Sequence, residues 1–363
     1  MSLRYPVFRT QAPTSDAELS KILASPEFGR HFTDHMSAAT WTLDDGWHDR
    51  KVRPLEPFNL HPGTAVLHYG QEIFEGLKAY RHVDGGIHLF RPRFNAERFA
   101  RSAERLALPQ LPEEEFLASV EALVRVDERW VPVPAVEESL YLRPFMFAMD
   151  ECLAAKPAEV VAYSVIASPT GPLFAAGQSG VTLWVSSRYT RSAPGGTGGA
   201  KCGGNYGAGL AAQIEAKQHG CDQVLYLDRT GGEGYLEESG TMNLCLVTSD
   251  GCLVTPMLGT ILEGVTRDSI LTLASDFGLT VMERPVSLEE LRRGTADGWI
   301  TEAFAVGTAA VITPIVGFKG DGYEFTVGEG KPGKQTMALR AELLGIQYGR
   351  VEDRHGWLWR VPR

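Results

Sequence analysis

A chain of 363 residues is longer than one hydrophobic core usually serves, so two domains are expected. Its 44% hydrophobic and 22% charged residues are ordinary for a globular protein, and a formal net charge of −10 opposes a polyanionic partner, because nucleic-acid binding needs lysines and arginines to neutralise phosphates. Uncharged apolar runs fall short of the roughly 18 residues that span a bilayer, and the segment MSLRYPVFRTQAPTSD lacks the apolar core of a signal peptide, so nucleic acid and membrane are excluded as partners and a cytoplasmic location is expected.

Thr64 to Tyr69 and Gly76 to Tyr80 read as strands, the second joined through a turn at Asp84-Gly85-Gly86 to Ile87–Phe90. Asn95 reads as the N-cap of a helix in which Phe99, Ala103 and Leu106 recur at helical spacing through Leu108. Pro112 opens a second helix, whose Phe116, Val120, Leu123 and Val124 share one apolar face. Strand patterns at 139–147 and 160–166 run into a stretch rich in Gly, Pro and Ser. This divides the chain into a smaller N-terminal domain over 1–170, a linker over 171–180 and a larger C-terminal domain over 181–363.

The second half continues with a strand at Val181–Ser186, a helix at about 206–219 closed by Gly220, and strands at Gln223–Leu227 and Met242–Val247. A helix from Val265 to Phe277 is closed by Gly278, and Ser287-Leu288-Glu289-Glu290 has the form of a capping box. Strand groups with interspersed helices in both halves indicate the α+β class. The five cysteines, Cys152, Cys202, Cys221, Cys245 and Cys252, form no Cys-x-x-Cys pair, and the nine histidines show no His-Glu-x-x-His spacing, so neither a disulfide framework nor a metal site is expected.

The densest chemical signal is the glycine-rich run from Gly195 to Gly209, interrupted by Lys201. So much glycine lets backbone approach a bound group closely, and a lysine there can act as a nucleophile once burial or nearby positive charge lowers its pKa. The same segment also fits a surface loop carrying a solvated lysine. It is no Walker loop, since Ala200 precedes Lys201 and Cys202 follows it. Gly328-Glu-Gly-Lys-Pro-Gly333 follows no long apolar strand and reads as a chance match to a dinucleotide motif. Glu238, in Tyr235-Leu-Glu-Glu-Ser-Gly-Thr241-Met-Asn243, brings a carboxylate to a buried strand and needs a positive partner, or else sits solvated at the strand edge. Gly264-Val265-Thr266 leads straight into a helix, where free N–H groups favour a phosphate. Gly307-Thr308-Ala309-Ala310 is a small-residue loop that follows a strand.

Taken together and in this order, these segments resemble the fold-type IV pyridoxal-phosphate enzymes, and most closely the branched-chain amino acid aminotransferases. Leu67-His-Tyr69-Gly-Gln-Glu-Ile-Phe74-Glu75-Gly76, Phe90-Arg-Pro-Arg-Phe-Asn95-Ala-Glu-Arg98 and Leu142-Arg143-Pro144 add to the likeness, which extends from roughly residue 60 to 348. The resemblance implies a two-domain α+β fold, pyridoxal 5'-phosphate as cofactor, and Lys201, on the C-terminal domain, as its Schiff-base lysine. It implies that Tyr206 bonds the cofactor's phenolic oxygen and that Glu238 pairs with its pyridine nitrogen. Arg98, Val265, Thr266 and Thr308 fall at phosphate-binding positions, with Thr241 among the cofactor-binding residues. Phe74, Tyr141, Arg143, Tyr206, Thr308 and Ala309 line the implied substrate pocket, while Tyr69 and the loop around Leu153 match positions given by a neighbouring subunit, hence a homodimer. The implied reaction is ping-pong exchange of the amino group between L-leucine, L-isoleucine or L-valine and 2-oxoglutarate. D-amino acid aminotransferase, aminodeoxychorismate lyase and a non-catalytic binding protein on the same scaffold are the alternatives. Some members carry a Cys-x-x-Cys pair after the Gly-Thr-Ala loop; here the run is Thr308-Ala-Ala-Val-Ile-Thr-Pro314, so no thiol switch is expected there.

Overall fold

The computed structural model describes residues 5–172, 180–230, 232 and 234–362, so most of the expected linker lies outside the described residues. The elements in chain order are α1 (Asp16–Ala24), β1 (His35–Thr42), β2 (Gly46–Pro54), α2 (Val66–Tyr69), β3 (Glu72–Phe74), β4 (Leu77–Arg81), β5 (Ile87–Phe90), α3 (Pro92–Arg105) and α4 (Glu113–Val126). Next come β6 (Ser139–Ala148), β7 (Val160–Thr170), β8 (Val181–Val185), α5 (Gly203–Gly207), α6 (Leu210–Gln218), β9 (Gln223–Asp228), β10 (Tyr235–Ser239), β11 (Met242–Thr248) and β12 (Cys252–Thr255). The chain ends with α7 (Val265–Asp276), β13 (Thr280–Glu283), α8 (Leu288–Ala296), β14 (Ile300–Gly307), β15 (Val311–Gly320), β16 (Tyr323–Thr326), α9 (Lys334–Gln347) and β17 (Leu358–Arg360).

Two compact units form. The first holds the residues up to 172 together with Ala200–Gly203 and those from 346 onward; the second holds residues 180–199 and 204–345. Residues 200–203 and 346–362 therefore pack with the first unit, although both stretches lie beyond the boundary expected at 181. The reason is local bonding: Lys201 O accepts from Phe74 N at 2.9 Å, Cys202 is buried in the first core, and β17 pairs with β5.

The first unit is built on an antiparallel sheet in the order β17-β5-β4-β6-β7-β1-β2, with β3 also on β6. Phe116, Val120 and Leu123 of α4 pack with Phe99 of α3 and Tyr163 of β7 in one core, and the Phe99 and Phe116 rings lie 5.5 Å apart. Glu113, Glu114 and Glu115 occupy the first turn of α4, where the helix dipole favours negative charge.

In the second unit, strands β10-β9-β8-β15-β14-β11 follow one another in hydrogen-bonded order, and a further β10–β11 pairing closes them into a barrel. The sheet is mixed: β8 runs parallel to both β9 and β15, and α6 makes the crossover from β8 to β9. Ser287 caps α8 by accepting from Glu290 N, one half of the expected capping box, while the Glu290 carboxylate pairs with Arg284, and Gly278 follows α7 at φ 80°.

Two expected elements differ. Thr64–Tyr69 is no strand: Val66–Tyr69 close a single helical turn, ended by Gly70 at φ 58°, and none of the four is buried. Asn95 does not cap α3, which starts three residues earlier with Pro92 behind Arg91 at φ 50°. The fixed ring of proline suits the first helical position and moves the start upstream. Among the described residues, no helix is long and apolar enough to cross a membrane.

Phe116 is fully buried, so Phe116→Ala should remove about 3–5 kcal/mol of stability. Urea denaturation should show a lower midpoint for the variant, and an unchanged midpoint would contradict this core.

Candidate active site

In the first unit the site is organised around one buried carboxylate. Glu75 lies between β3 and β4 with no exposed surface, and Arg98 of α3 meets it with two parallel bonds, Nε–Oε1 at 2.7 Å and Nη2–Oε2 at 2.8 Å. Asn95, one helical turn before Arg98 and therefore on the same face, donates to Oε2 at 2.7 Å. Burial works against the Glu75 charge, yet the Arg98 guanidinium, followed by Lys201 and Asn95, holds this carboxyl below its usual range. Gly76 is required next to it, since a Cβ there would run into the Tyr141 hydroxyl.

Lys201 is fixed through its backbone on both sides: its N–H donates to Ser102 Oγ at 2.9 Å, and its carbonyl accepts from Phe74 N. Two residues on, Gly203 N–H donates to Glu72, and Glu72 fills the space a side chain at 203 would need. The Lys201 Nζ sits 4.8 Å from the centre of the Phe74 ring. Burial first, and the Arg98 charge second, push its amine down to about 8, against the pull of Glu75. A lysine in this state has a sizeable neutral fraction near pH 8 and is a usable nucleophile and base.

Arg143 of β6 lies against the same ring, its guanidinium carbon 4.7 Å from the Phe74 centroid and 5.3 Å from that of Tyr141. Nη2 donates to the Tyr141 hydroxyl at 3.2 Å, whereas the buried Nε has no acceptor. A flat cation held against two aromatic rings is a group suited to receive a carboxylate. The first unit thus brings Phe74, Arg98, Tyr141, Arg143 and Lys201 together. Tyr69 is set apart from them: its hydroxyl donates to Leu153 O, and the two residues are 47% and 67% exposed.

In the second unit Glu238 of β10 is buried and meets Arg191, with Nε–Oε2 at 2.6 Å and both side chains almost fully shielded. Its other oxygen accepts from Leu262 N at 2.8 Å and from Asn243 Nδ2 at 3.3 Å. Arg191 reaches further, donating to the carbonyls of Gly198 at 3.1 Å and Thr260 at 2.9 Å. At Gly198 the backbone lies so close to the Thr260 carbonyl that no Cβ fits. Within this unit the glycine-rich run is therefore tied to Glu238 through one arginine.

Gly264 follows, also without room for a side chain because Asn243 presses on it, and α7 begins with no side-chain cap and with Val265 and Thr266 buried. First-turn N–H groups of such a helix are open to an anion. Pairing of Glu238 with Asn243, and of Asn243 with Val306, puts Thr241 and the turn carrying Thr308 and Ala309 at one end of the barrel. Val311 closes that turn at φ 60°, a strained value for a β-branched residue. Tyr206 is half-buried on α5.

Sequence reading alone does not single out Glu75, Asn95 and Arg191 as organising residues. A signal for Asn95 and Arg98 exists in their three-residue spacing; Arg191 lies in an irregular segment whose pattern holds no such cue. The positive partner demanded by Glu238 is, within its own unit, this arginine.

The chain belongs to the amino-transferase class IV family, whose model matches residues 72–318. It is 50% identical over 363 residues to the branched-chain-amino-acid aminotransferase of Mycolicibacterium smegmatis, covering 99% of this chain and 98% of that protein. The solved branched-chain amino acid aminotransferase of Escherichia coli superposes with a TM-score of 0.72 at 30% identity, over 90% of this chain and all (100%) of the other. A branched-chain aminotransferase from Thermoproteus uzoniensis, solved with norvaline, gives a TM-score of 0.73 at 28% identity, over 90% of this chain and 100% of the other. The fold is the α+β fold of these fold-type IV aminotransferases.

Glu75→Gln should leave Arg98 as a buried charge without its counter-ion, costing about 3–5 kcal/mol. It should also lower the Lys201 pKa below about 8, because Glu75 is the larger of the two groups, with Tyr141, that raise it. Amine-directed labelling of Lys201 in the cofactor-free protein, followed against pH, should show its midpoint moving down; an unmoved midpoint would refute the coupling.

Proposed function

We propose that this chain is a pyridoxal-phosphate-dependent aminotransferase that exchanges the amino group between L-leucine, L-isoleucine or L-valine and 2-oxoglutarate. The observation that carries this is Lys201: a lysine amine drawn down to about 8 by burial and Arg98, held against Phe74 and beside an arginine with an unused donor. The names of the relatives agree with it.

The residues fit the cofactor. Lys201 is the amine that would hold pyridoxal 5'-phosphate, and the uncapped start of α7 at Val265 and Thr266, with Thr308 and Arg98, would hold its phosphate. Glu238 would face the ring nitrogen and Tyr206 the phenolic oxygen, with Thr241 beside the phosphate-binding end. When bound, the cofactor supplies an aldehyde and a ring that accepts electrons from the substrate Cα. The Lys201 amine, when free, would take the proton from the substrate Cα and deliver it to the cofactor carbon two bonds away; a pKa near 8 suits both directions. Glu238, locked by Arg191, Asn243 and Leu262, presents a fixed negative charge that would favour a proton on the ring nitrogen. Arg143 binds the substrate carboxylate through its guanidinium, and Phe74, Tyr141 and Ala309 give the aliphatic side chain an apolar wall.

Tyr69 and Leu153, joined to each other and exposed, are the groups this reading assigns to a second subunit, so the chain acts as a homodimer. Its substrates are dissolved metabolites, and the cytoplasm is the location that supplies them.

Purified protein should be yellow with pyridoxal phosphate and should carry a borohydride-stable label on Lys201; Lys201→Ala should lose colour, label and essentially all turnover. Steady-state assays should show leucine turnover with 2-oxoglutarate, and Arg143→Ala should raise KM for both substrates by roughly 10- to 100-fold through loss of a charge-assisted contact. A protein that turns over D-alanine but leaves leucine untouched would overturn the assignment.

A further inference from the structure

One buried acid has no part in the chemistry above. Glu237 precedes Glu238 on β10, is 1% exposed, and neither of its carboxyl oxygens makes a hydrogen bond of good geometry. A charged carboxylate is not stable in such a place without a partner. Its surroundings come from four directions. Glu238 lies on the same strand, Asp228 at the end of the adjacent β9, Arg191 in the segment leading to the glycine-rich run, and the Thr260 hydroxyl in the loop before α7. Asp228 is engaged by Thr230, whose N–H and hydroxyl both donate to it, and Arg191 is committed to Glu238 and to the carbonyls of Gly198 and Thr260. Among the described residues around it, no cation is left to Glu237 alone.

We propose that Glu237 is a positioning acid that sets the net charge behind Glu238. With its proton on, the cluster of Glu237, Glu238 and Arg191 is neutral; with the proton released to solvent, it carries one negative charge, and Arg191 is shared between two carboxylates. Glu238 then faces the cofactor nitrogen with more uncompensated charge and holds the ring proton more firmly. This rests on the assignment of Glu238 to the ring nitrogen made above.

The working range follows from burial. Desolvation, the largest effect, is only partly offset by Thr260 and Arg191 and is reinforced by Asp228 and Glu238, so this carboxyl is pushed up from 4.5 to about 7. The native state therefore keeps a proton that the unfolded chain gives up near 4.5, and stability present at low pH is lost as pH rises through that interval toward about 7. Above it the contribution is flat.

The experiment compares the parent with Glu237→Gln and Asp228→Asn. In cofactor-free protein, infrared difference spectra between pH 6 and 8 should contain a protonated-carboxyl band that Glu237→Gln removes, with its midpoint shifted down in Asp228→Asn. Urea midpoints of the parent should fall between pH 5 and 7 more steeply than those of Glu237→Gln. In the pyridoxal-phosphate-loaded enzyme, the visible spectrum and kcat/KM for leucine should share that midpoint, kcat/KM gaining about threefold to tenfold across it, and Glu237→Gln should flatten both. A carboxyl band that survives in Glu237→Gln, or a spectral pH profile identical in parent and variant, overturns the proposal while leaving the role of Glu238 standing. A visible spectrum and leucine turnover left unchanged by Glu238→Gln overturn the Glu238 assignment and the proposal with it. If Glu237→Gln fails to fold, the Asp228→Asn shift decides alone: an unmoved midpoint in both infrared and visible spectra refutes it.

Discussion

Everything in these two clusters depends on charges held out of water. Glu75 with Arg98 in one unit, and Glu238 with Arg191 in the other, are ion pairs shielded from solvent. Each is tolerable because the geometry is near ideal and the remaining lone pairs are met by Asn95, Asn243 and backbone N–H groups. Such pairs contribute little net stability compared with well-packed apolar residues, but they fix direction. A bidentate arginine cannot swivel without leaving a bare charge behind, so the positions of Arg98 and Glu238 are narrowly defined within their own units.

The glycines follow from the same constraint. Gly76, Gly198, Gly203 and Gly264 stand where a Cβ would collide with Tyr141, Thr260, Glu72 or Asn243. At each of these points backbone is pressed against a polar group of its cluster. Glycine richness around Lys201, which in sequence suggests only flexibility or close approach, is close approach: Gly198 against a carbonyl in the second unit, Gly203 against a carboxylate in the first.

How much of this is legible in the sequence depends on whether the signal is local. Amphipathic spacing marks α3, α4 and α7 to within a few residues, and Ser287 caps α8, although the Glu290 carboxylate turns to Arg284 instead of completing the expected capping box. The start of α3 is misplaced because Asn95 has the chemistry of a cap, while its side chain is needed inside, on Glu75. The hairpin of β1 and β2 goes unread although Asp44-Asp45-Gly46 is a turn signal between its strands. Pairing of β17 with β5, and the capture of residues 200–203 by the first unit, rest on partners far apart in the chain, and no local pattern announces them. Lys201 and Glu238 are visible because each is a polar residue in an unusual setting; Arg191 is invisible because an arginine in an irregular stretch looks solvated until its partner is known.

Burial moves two further ionisable groups of these clusters toward the same pH from opposite sides. Lys201 comes down to about 8 and Glu237 goes up to about 7, in each case with desolvation as the first cause. The neutral form of each is favoured by the same low-dielectric surroundings that make the ion pairs directional. A base and an acid that would titrate at 10.5 and 4.5 in water thereby both come to change charge near neutrality. No special residue is needed for this compression. It follows from placing a lysine and a glutamate where water is excluded and where the available counter-charges, Glu75 and Arg191, are already engaged.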